Sequence, residues 1–256
     1  KVPKRTTVLL LGVDEDNTRT DTIMLANFNS ETGEVNIMSI PRDTYITLPK
    51  DKVEKVRSIG RKNIPKSGNM KINEINSYAG RDLGINYLES QIEDLLNLKI
   101  DYYVKINLDA FVKLVDTIGG VEFNVPVRMK HDLPRINLYP GLQMLNGKKA
   151  EQLIRFRGYR EGDLKRIEVQ QQFIKTVIEK TINSDEFIKN IPHFISIFLD
   201  YVETDFDLTD ISKYISFVNK VSMDNLNVYT MPCTPEYING VSYVKINQNE
   251  ARDLVN

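Results

Sequence analysis

Short apolar runs alternate along this chain with longer stretches of helical spacing, and that alternation restricts the fold more than any other feature. The first run, Val8 to Leu11, shows no polar interruption and reads as a strand buried on both faces. Ile23 to Phe28 and Glu34 to Ile40 follow as strands, joined by the turn-rich Asn29-Ser-Glu-Thr-Gly33. Ile100 to Ile106 and Val121 to Val127 are two more. Between them Leu108 to Ile118 is an amphipathic helix closed by Gly119-Gly120. Strands separated by helices indicate a central mixed α/β sheet flanked by helices on both faces.

Further helices are expected as a short one through Tyr78-Ala79-Gly80, a longer one from Tyr87 to about Leu98, and another over Leu145 to Ile154. Asp163 to Asn183 is the longest, with Phe187 to Leu199, Leu208 to Val221 and Asn249 to Val255 after it. Val228 to Met231 and Val241 to Lys245 read as strands joined through Pro232-Cys-Thr-Pro-Glu. Lys50 to Asn69, rich in lysine and arginine, reads as a mobile surface excursion, and Arg128 to Pro140 as irregular.

No linker, low-complexity tract or repeat divides the chain, so residues 1–256 are expected to form one domain. A net charge of −1 gives no global reason to bind nucleic acid or an acidic surface, so any basic site must be local. Cys233 stands alone, which excludes an intrachain disulfide. No run approaches the roughly 20 apolar residues that span a bilayer. A chain opening at Lys1-Val-Pro-Lys-Arg is expected to have been trimmed of a signal or anchor.

The chemistry-bearing loop is Asp14-Glu-Asp16-Asn-Thr-Arg19-Thr-Asp21, directly after the first strand. Carboxylates and a guanidinium at the carboxyl end of a strand suit a hard cation holding a phosphorylated ligand. The plainer reading is a solvated hairpin loop. Two other readings fail: the late strand ending in paired acids that a haloacid-dehalogenase-like phosphatase needs is missing, and Arg19 and Leu25 occupy the Gly and Glu positions of an EF-hand.

Arg42 emerges after Pro41 at a strand end, with Asp43 beside it as a possible surface partner. If Ile154 to Arg157 is extended, Arg155 and Arg157 share one face. On the long helix Arg166 and Gln170 lie at i and i+4, and Phe173 and Val177 continue the stripe. That suits an amphiphile with its head at the helix start, although plain core packing gives the same spacing. Neither His131 nor His193 has a triad around it.

Taken in order, Leu10-Leu-Gly-Val-Asp14, Arg19-Thr-Asp21-Thr22, Ser39-Ile-Pro-Arg42-Asp43, Lys71-Ile-Asn73, Asp116-Thr-Ile-Gly-Gly-Val121, Asn146-Gly147 with Ala150, Arg155-Phe-Arg157, and Gly162-Asp163 with Arg166 and Gln170 form a specific set. The set resembles the LytR-CpsA-Psr family of bacterial cell-wall proteins. The resemblance implies an α/β/α phosphotransferase that moves a glycopolymer from a polyprenyl-pyrophosphate carrier to peptidoglycan, with Mg²⁺ near the pyrophosphate and pyrophosphatase as a side activity. It implies a domain on the outer face of the membrane of a Gram-positive-type bacterium, held by a single-pass anchor. By similarity Asp14 and Asp21 match metal-site acids, and Arg19, Arg42, Arg155, Arg157 and Arg166 match phosphate-contacting arginines. Lys71 and Gln170 match supporting polar residues, and Phe173 and Val177 would line a lipid pocket. Asp14, Asp21 and Asp43 remain alternative bases for the acceptor hydroxyl. Val169 stands where the family pattern carries a second arginine, and the loop from Asp14 to Asp21 is short. The other functional class open to such a chain is a non-catalytic sensor or scaffold that binds polyprenyl phosphates.

Overall fold

The computed structural model describes residues 3–14, 19–184, 191–207, 209, 213, 214, 217 and 220–255. Strand β1 (Arg5–Val13) pairs antiparallel with β2 (Thr20–Asn29), and β2 with β3 (Val35–Ile40). The small hairpin of β4 (Tyr45–Thr47) and β5 (Asn69–Lys71) encloses α1 (Lys50–Ser58). Next come α2 (Ile75–Leu96), β6 (Tyr102–Ile106), α3 (Leu108–Thr117) and β7 (Val121–Val125). β8 (Met129–His131) pairs with β9 (Ile136–Leu138), and β10 (Gly141–Leu145) returns onto β7. Helices α4 (Gly147–Arg155), α5 (Asp163–Ile182) and α6 (Ile191–Tyr201) lead to β11 (Glu203–Thr204) and β12 (Leu226–Thr230). The hairpin of β13 (Cys233–Ile238) and β14 (Val241–Ile246) and helix α7 (Gln248–Val255) complete the chain.

The central sheet has the strand order β11-β6-β1-β2-β3-β12, with β1–β6 and β3–β12 parallel and the other pairs antiparallel. On one face Leu9, Leu11, Ile23, Leu25, Met38 and Ile40 pack against Leu88, Ile92 and Leu96 of α2. On the other, Leu10, Met24 and Ile37 meet Ile174 and Ile178 of α5. A separate cluster joins Val121, Phe123, Leu145 and Leu153 to Phe173 on α5, so that helix is packed on both sides. Among the described residues no helix is long and apolar enough to cross a membrane.

Several expectations need correction. Leu9 and Leu11 are buried while Val8 and Leu10 are only half-buried, so β1 is not buried equally on both faces. The face toward α5 is the less completely covered one. The stretch read as a mobile excursion contains α1, because Val53 and Val56 at i and i+3 are buried beneath its charged residues. Arg128 to Pro140 holds the β8–β9 hairpin, anchored by buried Met129, Ile136 and Leu138. The expected connection through Pro235 is itself strand β13. The two helices expected between Tyr78 and Leu98 are both present, meeting at Gly80, where φ is 75°, so the second begins there and not at Tyr87. Only glycine takes that conformation readily, and the guanidinium of Arg61 lies where a Cβ would project. Residues 185–190 and most of 208–221 lie outside the described residues, so only part of the two helices expected there can be placed.

Half-buried Glu89 on α2 has its pKa pushed up to about 7, chiefly by burial and then by Asp205 and Glu93. The folded chain therefore holds a proton there that the unfolded chain loses near pH 4.5. The resulting stabilisation is complete below that pH and disappears as pH rises through about 7. Glu89→Gln is expected to melt higher than the parent at pH 8 and to lose that advantage toward pH 5, as melting curves across the range will show.

Candidate active site

The register of β1 against β2 shifts between Gly12 and Val13, which face Thr22 and Thr20. Asp21 is thus an extra residue on β2, the arrangement of a β-bulge, which re-aims a side chain out of the regular ladder. A Cβ at position 12 would come within 3.0 Å of the Thr22 Cβ, so the glycine makes room for the bulge. The ends of the preceding loop are tied together. The Asp14 amide donates to the Arg19 carbonyl at 3.2 Å, and the Arg19 amide to Asp14 Oδ1 at 3.2 Å.

Arg42 reaches this carboxylate from the next strand end. Past Ile40 the chain turns through Pro41, whose carbonyl accepts from the Thr44 amide at 3.0 Å and from Thr44 Oγ1 at 2.6 Å. Arg42 Nη1 then donates to Asp21 Oδ1 at 2.7 Å. The turn is laced to the end of β5, where the Asn73 amide donates to the Arg42 carbonyl at 3.3 Å. Beside it Lys71 Nζ lies 3.1 Å from Asp43 Oδ1.

Asn146 caps α4 by accepting from the Lys149 amide at 3.0 Å. The helix runs through Arg155, and Phe156 then turns extended. This corrects the expectation that Arg155 and Arg157 share a face. Arg155 Nη1 donates to Glu151 Oε1 at 2.9 Å, one helical turn back, while Arg157 Nη2 lies 3.1 Å from both oxygens of Asp21. Buried Gln170 donates through Nε2 to the Ile154 carbonyl at 3.0 Å and so fixes the turn that delivers Arg157. Gln170→Leu is expected to cost about 1 kcal/mol, the worth of one such bond, read from denaturant unfolding.

Helix α5 starts after Gly162, whose φ of 75° admits the sharp entry, and its first turn brings Asp163 and Arg166 together. Asp163 Oδ1 is 2.8 Å from Arg166 Nη2 and 3.8 Å from Arg42 Nε. Arg166 is only 3% exposed. Burial, and then Arg42, lower its pKa, while Asp163 opposes them. Neighbouring Tyr159 is pushed up to about 12 by burial. Gln171 donates to Ser39 Oγ at 2.8 Å and Thr230 Oγ1 at 3.0 Å, pinning α5 to β3 and β12.

The polar atoms left over all lie here. Among the described residues, five buried side-chain atoms have no hydrogen-bond partner: Thr20 Oγ1, Arg42 Nε, Asn73 Oδ1, Tyr159 Oη and Arg166 Nε. Arg42 and Arg166 are members of the cluster, Asn73 bonds the Arg42 carbonyl, Tyr159 feels the charge of Arg166, and Thr20 precedes Asp21 on β2. A buried polar group without a partner costs stability, and a cluster of them marks a place where a polar ligand completes the bonds.

Of the residues singled out by sequence, the structure brings Arg42, Arg157 and Arg166 together around Asp21 and Asp163. Lys71 and Asp43 flank them. Arg19 is exposed beyond the loop, and Arg155 lines a separate small recess with Arg135 and Lys148. Phe173 is 1% exposed and packs edge-on to Phe123 at 5.5 Å between ring centroids. Half-buried Val177 adjoins the same cluster. Asp163, Tyr159 and Thr20 were missed as site residues. The pairing of Asp163 with Arg166 at i, i+3 was the available signal.

A magnesium ion keeps several waters and binds through one or two carboxylates plus substrate phosphate. Asp14 and Asp21 at the two ends of one loop, with the unpartnered Thr20 hydroxyl between them in sequence, are hard oxygen donors of that kind. Among the described residues no three His, Cys, Asp or Glu side chains gather as ligands, so a phosphate would have to complete the set.

The model of the LytR_cpsA_psr family matches residues 1–256. The chain belongs to that family. An uncharacterised relative from Staphylococcus aureus is 30% identical over 182 residues, covering 70% of the chain and 40% of the relative. The polyisoprenyl-teichoic acid–peptidoglycan teichoic acid transferase TagU of Oceanobacillus iheyensis is 29% identical over 249 residues, covering 95% of the chain and 72% of TagU. The crystal structure of Bacillus subtilis TagV superposes on this LytR_cpsA_psr member with a TM-score of 0.80 at 22% identity, over 100% of the chain and 97% of TagV. The α/β fold with its flanked mixed sheet is therefore the family's own.

Proposed function

We propose that this chain transfers a glycopolymer from a polyprenyl-pyrophosphate carrier to peptidoglycan, with Mg²⁺ as cofactor, on the outer face of the cytoplasmic membrane. One observation carries the reading: Arg42 and Arg166, each with a buried Nε that has no hydrogen-bond partner, pair with the carboxylates of Asp21 and Asp163. Three guanidiniums against two carboxylates leave an excess positive charge, which suits a pyrophosphate diester. The name of the TagU relative supports the same chemistry.

In the reaction the acceptor hydroxyl attacks the phosphorus that bears the polymer. A new P–O bond forms, the bridging P–O bond breaks, and polyprenyl phosphate leaves with the bonding electrons. Water in place of the acceptor gives the pyrophosphatase side reaction. Arg42, Arg157 and Arg166 stand ready to donate to the phosphate oxygens as charge moves onto the leaving group, without reorganising at that moment. Asp21 and Asp163 hold these arginines in place. Mg²⁺, held by Asp14 and Asp21, would supply further positive charge against the leaving phosphate. The hydroxyl proton passes to a carboxylate of this group, among Asp14, Asp21 and Asp43.

Purified protein, a lipid-linked pyrophosphate sugar and Mg²⁺ are expected to release polyprenyl phosphate, and chelation with EDTA to stop it. Retention of intact ligand without release would make the chain a binder and not a transferase.

A further inference from the structure

A cavity lies at the other end of the sheet, roughly 20 Å along β1 from the arginine cluster at about 3.3 Å per residue. Its volume is about 400 Å³, within the range of small-molecule sites. The floor is a polar row running across four strands. Thr7 on β1 faces Asn27 on β2, Asn27 faces Asn36 on β3, and Asn36 faces Asn227 on β12. Directly paired residues share one face of a sheet, so the four side chains stand side by side.

The row is only partly spent on itself. Asn27 Nδ2 donates to Thr7 Oγ1 at 3.1 Å, Asn227 Nδ2 to Asn36 Oδ1 at 2.9 Å, and Asn36 Nδ2 to Glu34 Oε1 at 3.2 Å. Each primary amide can donate twice and accept twice. The Oδ1 atoms of Asn27 and Asn227, and one N–H on each, therefore face the cavity side of the sheet with no described partner. One rung along the strands the same face is apolar, with Leu9, Leu25 and Met38 in the core. The amides thus interrupt a hydrophobic pattern at the rung that opens to the cavity.

The walls are of a different kind. Tyr229, Leu98, Leu254 and Val255 bound the space above the amides. Arg5 and Glu34, also in the lining, carry opposite charges. A charged ligand finds no net counter-charge here, whereas the arginine cluster offers one.

We infer that this cavity binds a neutral saccharide unit. A sugar hydroxyl both donates and accepts, as an amide does, and several adjacent hydroxyls match a flat row of adjacent amides. The apolar face of a sugar ring suits the Tyr229 ring and the leucine walls. This site is independent of the transferase reading, since it shares no residue with the anion site.

The test is titration of ¹⁵N-labelled protein with triacetylchitotriose and with maltotriose, following the side-chain amide signals of Asn27, Asn36 and Asn227. At least one of the two sugars is expected to shift them saturably. Asn227→Ala, on an exposed edge strand, should keep its melting temperature and weaken binding about tenfold, the equivalent of one hydrogen bond to a ligand. Asn36→Ala serves as the second variant, and Arg157→Ala should bind the sugar as the parent does. No shift with either sugar at millimolar concentration overturns the inference. So does binding that Arg157→Ala abolishes, which would place the sugar at the anion site. Failure of phosphate release in the transferase assay leaves this result untouched.

Discussion

Arg157→Ala is expected to lower turnover by about 10²–10³-fold, the usual effect of removing one donor aimed at transition-state charge. Its effect on the ligand-free protein should be slight. Arg157 is 56% exposed in its side chain, and an ion pair of that kind is worth about 1 kcal/mol or less. Removing it also relieves repulsion from Arg166. Melting temperature without ligand should change by roughly 2 °C at most. A polyprenyl pyrophosphate, which binds only the folded state, should raise the melting temperature of the parent through mass action. Most of that rise should vanish in the variant. Arg157→Lys keeps the charge but loses the planar fork, so it belongs between the two. Full turnover and an undiminished ligand shift in Arg157→Ala would remove this residue from the site.

Asp163→Ala should do the reverse, damaging the fold before any question of catalysis. Its Oδ1 lies 2.8 Å from the buried Arg166 guanidinium and 3.8 Å from Arg42 Nε, so its loss strands Arg166 beside Arg42, whose own remaining partner is Asp21. Breaking such a buried pair from one side typically costs about 3–5 kcal/mol, which is roughly 10 °C in melting temperature at this chain length. Losing an acid in the first turn of α5 adds a little more. The second-site change Arg166→Met removes the stranded charge and should restore most of the stability, though not activity. A single variant that melts within about 2 °C of the parent would show that Asp163 is not the counter-charge.

The strands of the central sheet were legible because each is a short apolar run between turn residues. Helix α1 was not, since its two buried valines are outnumbered by charged neighbours on the exposed side. The β8–β9 hairpin offered only three apolar anchors, too few to show a period. At the site, the arginines could be chosen by residue type and motif, but their partners could not. Arg155 and Arg157 are two positions apart, and which of them faces Asp21 depends on whether the helix ends before or after Arg155. That is decided by the Asn146 cap and by Gln170 holding the Ile154 carbonyl. Asp163 stood in a quoted motif, yet its importance rests on Arg42 arriving from a distant strand end, which no local pattern reports.

The bulge at Asp21 separates two things that a regular hairpin would couple. In an unbroken ladder, changing the length of the β1–β2 connection would slide the register and carry the carboxylate away from its arginines, turning Ile23 and Leu25 out of the core. Here the extra residue is absorbed within β2 itself, and the connection is closed upon itself by the hydrogen bonds between Asp14 and Arg19. The register that seats Ile23 and Leu25 in the core is therefore set inside the ladder, and the Asp21 carboxylate keeps its place against Arg42 and Arg157 through β2 itself.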